Sequence, residues 1–280
     1  MSREIICLAS YASGMAHRMA LLYCAKAFAD YFAYTVRLLW GVSSGVAFCR
    51  FEELLSAFPG VGIVNISEPE VTRLTLAAGN SAAVSYGGHS YQVVRKGSTA
   101  SERMFCYDLR AARVLWDLIP PSYRPKAYLK AVPTPVIQSH IVPYIKQRQI
   151  ATRVGIRVRV TESPTDRRKP HRTVRELDDV VRSIASLPWH TRVFVVTDSE
   201  YVQQMLASHF FDCLFLRKHF DLREGGTSYV HRQSKHELVT FLKEVMCLCA
   251  CSRIIDIGGF LNHNSVSSKI IRAPYREVFM

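Results

Sequence analysis

The sequence predicts an α/β protein made of two doubly wound lobes that face each other across a cleft. Three observations carry this reading. Short apolar strands alternate with amphipathic helices from the N-terminus onward. That alternation is interrupted in the middle and restarts near residue 150. The chain has 280 residues, 49% of them hydrophobic, ample for a buried core in each lobe.

The first lobe spans 1–148. It opens with a strand at 5–9, a turn, and a helix over 15–33. A strand follows at 35–40, then a loop with Gly41, Ser43, Ser44 and Gly45. A short helical stretch at 50–58 leads to a strand at 61–66, giving a β-α-β-α-β start. Residues 78–100 are rich in Gly, Ser and Ala and predict loops with a hairpin. A helix is expected around 108–118, then a break at Pro120, Pro121 and Pro125, and a helix over 135–148.

The second lobe spans 149–280. It predicts a strand at 153–160, a charged loop at 163–172, and an amphipathic helix at 173–187 with Thr173 and Glu176 as a capping box. Strands at 193–197 and 213–218 flank a helix over 199–209. A long helix at 234–252, a strand at 253–259 and a last helix after Asn264 complete the order.

Composition narrows the function. No apolar run is long enough to span a bilayer. Arg3, Glu4, His17, Arg18 and Lys26 break up the N-terminal apolar residues, so no secretory signal is read and a cytoplasmic protein is expected. The eight cysteines include three in apolar segments, Cys7, Cys24 and Cys213, and reduced thiols are expected. The run Cys247-Leu-Cys249-Ala-Cys251 lacks the spacing of a zinc site, so no metal site is expected. Net charge is +13, which favours an anionic partner. Ten Lys/Arg stand against three acids between Lys146 and Glu176. That segment has no aromatic interleaving and no nucleic-acid-binding motif, which places a phosphate-bearing small molecule ahead of a nucleic acid.

Ligands of doubly wound sheets bind at the carboxyl ends of strands, and four features fall there. Gly14 permits a tight turn after the first strand, with Arg18 on the first turn of the helix. Its alternative is an ordinary βα turn. Arg157 and Arg159 lie two apart and share one face of their strand, with Glu162 beyond. Two guanidiniums suit a diphosphate through bidentate bonds; a structural ion pair with Glu162 is the alternative. Asp198 and Ser199 open a helix, as ribose or base ligands or as a cap. Glu244 on the long helix precedes a glycine-rich turn with Asn264, Ser265, Ser267 and Ser268, whose backbone N–H groups suit a phosphate; a plain loop with serine caps is the alternative.

The order of these features resembles the fucosyltransferases that use GDP-fucose: the α1,6 group with the rhizobial nodulation enzyme, and the related α1,2- and protein O-fucosyltransferases. The matching phrases are SGMAHRMA (13–20), RLLW (37–40), CRFEELL (49–55), GIRVRVTE (155–162), VFVVTDSEYVQQML (193–206), the helix with Glu244, and NSVSSK (264–269). The resemblance implies a GT-B type architecture, with acceptor binding in the first lobe and donor binding in the second. It implies inverting, metal-independent transfer of fucose to a glycan or glycoconjugate hydroxyl, with no cofactor. Arg159 takes the position of the essential arginine that stabilises the departing GDP. Donor contacts are implied for Gly14, His17, Arg18, Arg157, Glu162, Asp198, Ser199, Glu244 and Ser265. His17 stands where the family has asparagine, Arg157 for histidine, Val160 for a frequent second arginine, and Glu162 for aspartate. These departures leave a second reading, a catalytically inactive relative that binds a nucleotide sugar. A basic nucleic-acid-binding protein is the third.

Overall fold

The computed structural model describes residues 3–8, 15–42, 49–124, 132–158, 184, 186–218, 220–222, 228–230 and 235–257. The chain divides into two compact units. One holds 1–134, 233–235 and 264–273; the other holds 135–232, 236–263 and 274–280.

The first unit is a six-stranded sheet in the order β3-β2-β1-β6-β5-β4. The strands are β1 (Glu4–Leu8), β2 (Thr35–Val42), β3 (Val61–Ser67), β4 (Ala83–Tyr86), β5 (His89–Val93) and β6 (Arg103–Cys106). All neighbours are parallel except the hairpin β4–β5, which turns on Gly87 and Gly88, both at positive φ. β1 is buried at every position from Ile5 to Leu8, as a central strand covered on both faces must be. Helices α1 (Met15–Phe32), α2 (Glu68–Asn80) and α3 (Leu109–Leu118) connect the strands. α3 begins where expected, with the Asp108 carboxylate accepting from the Ala111 N–H at 2.7 Å.

Three features of this unit depart from the sequence reading. The stretch 50–58 forms only a 3-10 turn, Phe51–Glu53. Helix α2 had not been read. It starts after Ser67 with Pro69 in its first turn beside Glu68 and Glu70, and buries Val71, Leu74 and Ala78. β6 had not been read either, although it sits in the middle of the sheet.

The second unit contains a parallel sheet in the order β12-β7-β8-β9. Its strands are β7 (Val154–Val158), β8 (Val193–Thr197), β9 (Cys213–Leu214) and β12 (Arg253–Ile257). A separate hairpin pairs β10 (Phe220–Leu222) with β11 (Ser228–Val230). Helices α4 (Pro135–Gln147), α5 (Glu200–His209) and α6 (Lys235–Ala250) complete it. α4 belongs to this unit rather than the first: Ile141 packs in one core cluster with Ile150, Phe194 and Leu248. β9 ends four residues before the expected strand end at 218. The expected loop 163–172, the helix 173–187 apart from its last residues, and the helix after Asn264 lie outside the described residues.

Both faces of β7 are packed, and differently. Val154, Ile156 and Val158 join a cluster with Val195, Val202 and Leu206. On the other face a Cβ at Gly155 would meet Leu248 Cδ2 at 3.0 Å and Cys251 Sγ at 3.1 Å, so α6 lies directly on the strand there. At the amino edge of the sheet the Arg153 guanidinium donates to both oxygens of Asp212, at 2.7 and 3.0 Å. Arg192 Nε donates to Asp212 Oδ2 at 2.8 Å. Hydrogen bonding from Arg153, then from Arg192, holds the Asp212 carboxyl below the ordinary aspartate range.

Candidate functional site at the carboxyl edge of the second sheet

The strands β7, β8 and β12 end level with one another. Val158 is in register with Thr197 on one side and Ile257 on the other. Side chains from each connection therefore collect at one edge.

β7 brings Arg157 there, half-buried, with Val196 and Asp256 as register partners. β8 brings Asp198 and Ser199. Ser199 is the helix cap: its hydroxyl oxygen accepts from the Val202 N–H at 3.4 Å, and its own N–H donates to Thr197 Oγ1 at 3.2 Å. The cap thus falls to the serine, with the half-buried Asp198 beside it.

Glu244 arrives from α6. This helix returns antiparallel to the strands, because it leads into β12, which is parallel to β7. Leu248 and Cys251 sit over Gly155. Four residues back along the helix is about 6 Å, and two residues along a strand is about 6.6 Å. Glu244 and Arg157 therefore lie at the same level. The Glu244 side chain is 5% exposed and Oε1 accepts from Lys218 Nζ at 2.5 Å, with the Lys218 side chain 3% exposed. Lys218 was missed by the sequence reading. It stands beside Arg217 at the end of the expected strand 213–218, and nothing in the sequence marks Glu244 as its partner. The site thus combines a half-buried guanidinium, a half-buried carboxylate and a buried ion pair.

Arg159, Glu162, Ser265 and Gly14 lie outside the described residues, as does the side chain of His17. The remaining expected contact, Arg18, belongs to the first unit and is turned inward. It is buried, with its guanidinium carbon 4.5 Å from the centroid of the Trp40 ring, and it donates to the Gly41 carbonyl at 3.2 Å. Burial pushes its pKa down to about 10. Trp40 Nε1 in turn donates to the Cys49 carbonyl at 3.0 Å, and Phe51 meets the Trp40 ring edge-on. Three phrases that the sequence places far apart, those of Arg18, Trp40 and Phe51, so form one buried cluster. It ties the helix after β1 to the end of β2.

The three thiols of α6, Cys247, Cys249 and Cys251, are buried, and Cys251 donates its S–H to the Cys247 carbonyl at 3.2 Å. Among the described residues no group of His, Cys, Asp and Glu is arranged to hold a metal ion. Nor is any helix among them long and apolar enough to cross a membrane.

No family model matches the chain, and no curated protein matches it. Solved structures do. The NodZ α1,6-fucosyltransferase soaked with GDP-fucose aligns over 98% of this chain and 93% of its own, with 14% identity and a TM-score of 0.55. The same enzyme co-crystallised with GDP aligns over the same shares with a TM-score of 0.54. Selenomethionine fucosyltransferase NodZ from Bradyrhizobium aligns over 98% and 92%, with 14% identity and a TM-score of 0.54. The chain has the fold of the fucosyltransferase NodZ. This is the expected GT-B type architecture. At 14% identity the likeness to NodZ lies in the path of the backbone, and the chemistry of the site has to be argued from this chain's own residues.

Proposed function

We propose that this protein is an inverting glycosyltransferase that moves fucose, from GDP-fucose or a closely similar nucleotide sugar, to a glycan or glycoconjugate hydroxyl without a metal. The second unit holds the donor and the first the acceptor. The observation that carries this reading is the gathering of Arg157, Asp198 and the Lys218–Glu244 pair at one carboxyl edge. It is supported by a fold shared with NodZ, which was soaked with GDP-fucose in one solved structure and co-crystallised with GDP in another.

The chemistry asks for such an edge. The acceptor hydroxyl oxygen attacks the anomeric carbon and releases its proton to water, while the bond to the diphosphate breaks and GDP departs with the electron pair. Positive charge then develops on the sugar and negative charge on the leaving group. Arg159, two residues on from Arg157 in the sequence, neutralises the leaving diphosphate by bidentate hydrogen bonds, and Arg157 supports it. Glu244, an acceptor-only carboxylate, suits the adjacent N–H donors of guanine. Asp198 suits a ribose hydroxyl.

Calorimetric titration with GDP tests it. The wild type binds, and Arg159→Ala loses binding. Failure of the wild type to bind GDP overturns the proposal. The departures at Arg157, Val160 and Glu162 favour one second reading, an inactive relative that keeps the donor site. Release of GDP from GDP-fucose in the presence of glycan acceptors separates the two.

A further inference from the structure

The opposite edge of the second sheet carries a different surface. Four connections enter the strands there: 148–153 before β7, 186–192 before β8, 210–212 before β9 and 251–252 before β12. Two large aromatic side chains stand out from it, Trp189 at 63% exposure and Phe211 at 84%. They form a pair: the Phe211 N–H donates to the Trp189 carbonyl at 3.1 Å, and the rings meet edge to face at 6.1 Å. The connections and helix ends at this edge also carry basic residues. Arg148, Lys146 and Arg253 are exposed and Arg192 is partly so, with His190 against Trp189 and His209 on the last turn of α5. Among the described residues of these connections Asp212 is the one acid, and it is committed to Arg153 and Arg192.

We infer that this edge docks on an anionic lipid surface. Exposed apolar rings raise the free energy of the protein in water and lower it when placed among lipid headgroups. There an indole sits with its ring in the apolar layer and its N–H wet. The arginines and the lysine of this edge complement anionic headgroups, and the acid that would oppose them is already neutralised within the protein. A single-stranded nucleic acid is held by stacking successive bases on a platform of aromatic faces. Here the rings stand perpendicular, as a wedge instead of a platform. Docking by this edge leaves the carboxyl edge of the same sheet pointing away from the lipid.

The full-length chain is mixed with vesicles of phosphatidylcholine and with vesicles of phosphatidylcholine plus phosphatidylserine, and binding is read by cosedimentation and tryptophan emission. The expected result is binding to the anionic vesicles only, weakened by salt, with a blue shift that disappears in Trp189→Ser. The double variant Trp189→Ser/Phe211→Ser binds roughly tenfold or more weakly, and Arg148→Glu about fivefold or more weakly. The replaced side chains are exposed, so thermal unfolding of these variants stays at the wild-type temperature. The inference is overturned by absence of binding to the anionic vesicles, by undiminished binding of the double variant, or by preferential binding to a single-stranded oligonucleotide.

Discussion

Removal of Lys218 tests the site most directly. In Lys218→Met the side chain keeps its length and loses its charge, and Glu244 loses the cation 2.5 Å from its Oε1. At that separation, with an effective dielectric of about 20, the attraction is about 7 kcal/mol. Desolvating the two ions costs several kcal/mol each, so the intact pair contributes little net stability. Removal of one partner is different, because the other charge stays buried. The expected cost is about 3–5 kcal/mol, confined to the second unit. Hydrogen–deuterium exchange of α6 and β12 peptides reads this out. Exchange by global opening accelerates roughly a hundredfold or more, while peptides of the first sheet stay unchanged. Lys218→Met/Glu244→Leu, which removes both charges, regains most of the protection. A change of about fivefold or less in Lys218→Met is the scale of an exposed ion pair, and would refute the argument.

Three further outcomes follow from the same structure. Asp212→Asn leaves Arg153, buried at the amino edge, without its carboxylate, and lowers the stability of the second unit by about 2 kcal/mol in urea unfolding. Because the folded pKa of Asp212 is depressed, its stabilisation is present above the ordinary carboxylate range and is lost as pH falls through the folded value. The wild type therefore weakens on acidification, and the variant shows a smaller acid dependence. Gly155→Ala places a Cβ against Leu248 and Cys251, and lowers the thermal midpoint by an overpacking cost of about 1–3 kcal/mol. Thiol titration with an aromatic disulfide shows no reaction of Cys7 or Cys49 in the folded protein and full reaction in denaturant. Burial pushes these thiols up to about 12 and about 11.

The sequence was most legible where a local rule and the tertiary structure agree. β1, β7 and β8 are apolar runs bounded by turn residues, and they form central parallel strands. Ser199 caps its helix because its side chain reaches a free N–H of the first turn. Legibility failed where position in the sheet decides the outcome. Arg103–Cys106 is a strand because it lies beside β1, and four residues hold too little pattern to announce that. α2 contains two threonines, a glycine and two early acids, and its burial rests on Val71, Leu74 and Ala78 alone. The location of Arg157, Asp198 and Glu244 was readable because they stand at strand ends or on the long helix before the last strand. Lys218 was not, because only folding brings it to Glu244. Arg18 was placed at the right turn, but its inward direction depends on Trp40, which lies in another strand.

The sheet order carries a consequence for synthesis. In each unit the strand made first ends up inside the sheet, with one neighbour arriving early and the other late. β1 pairs with β2, then waits for β6, which begins at Arg103. β7 pairs with β8, then waits for β12, which begins at Arg253. A nascent chain therefore leaves the ribosome carrying an open, apolar strand edge twice over. Each edge is sealed only when its distant partner emerges, and a chain cut short before Arg103 or Arg253 keeps that edge exposed to other copies of itself.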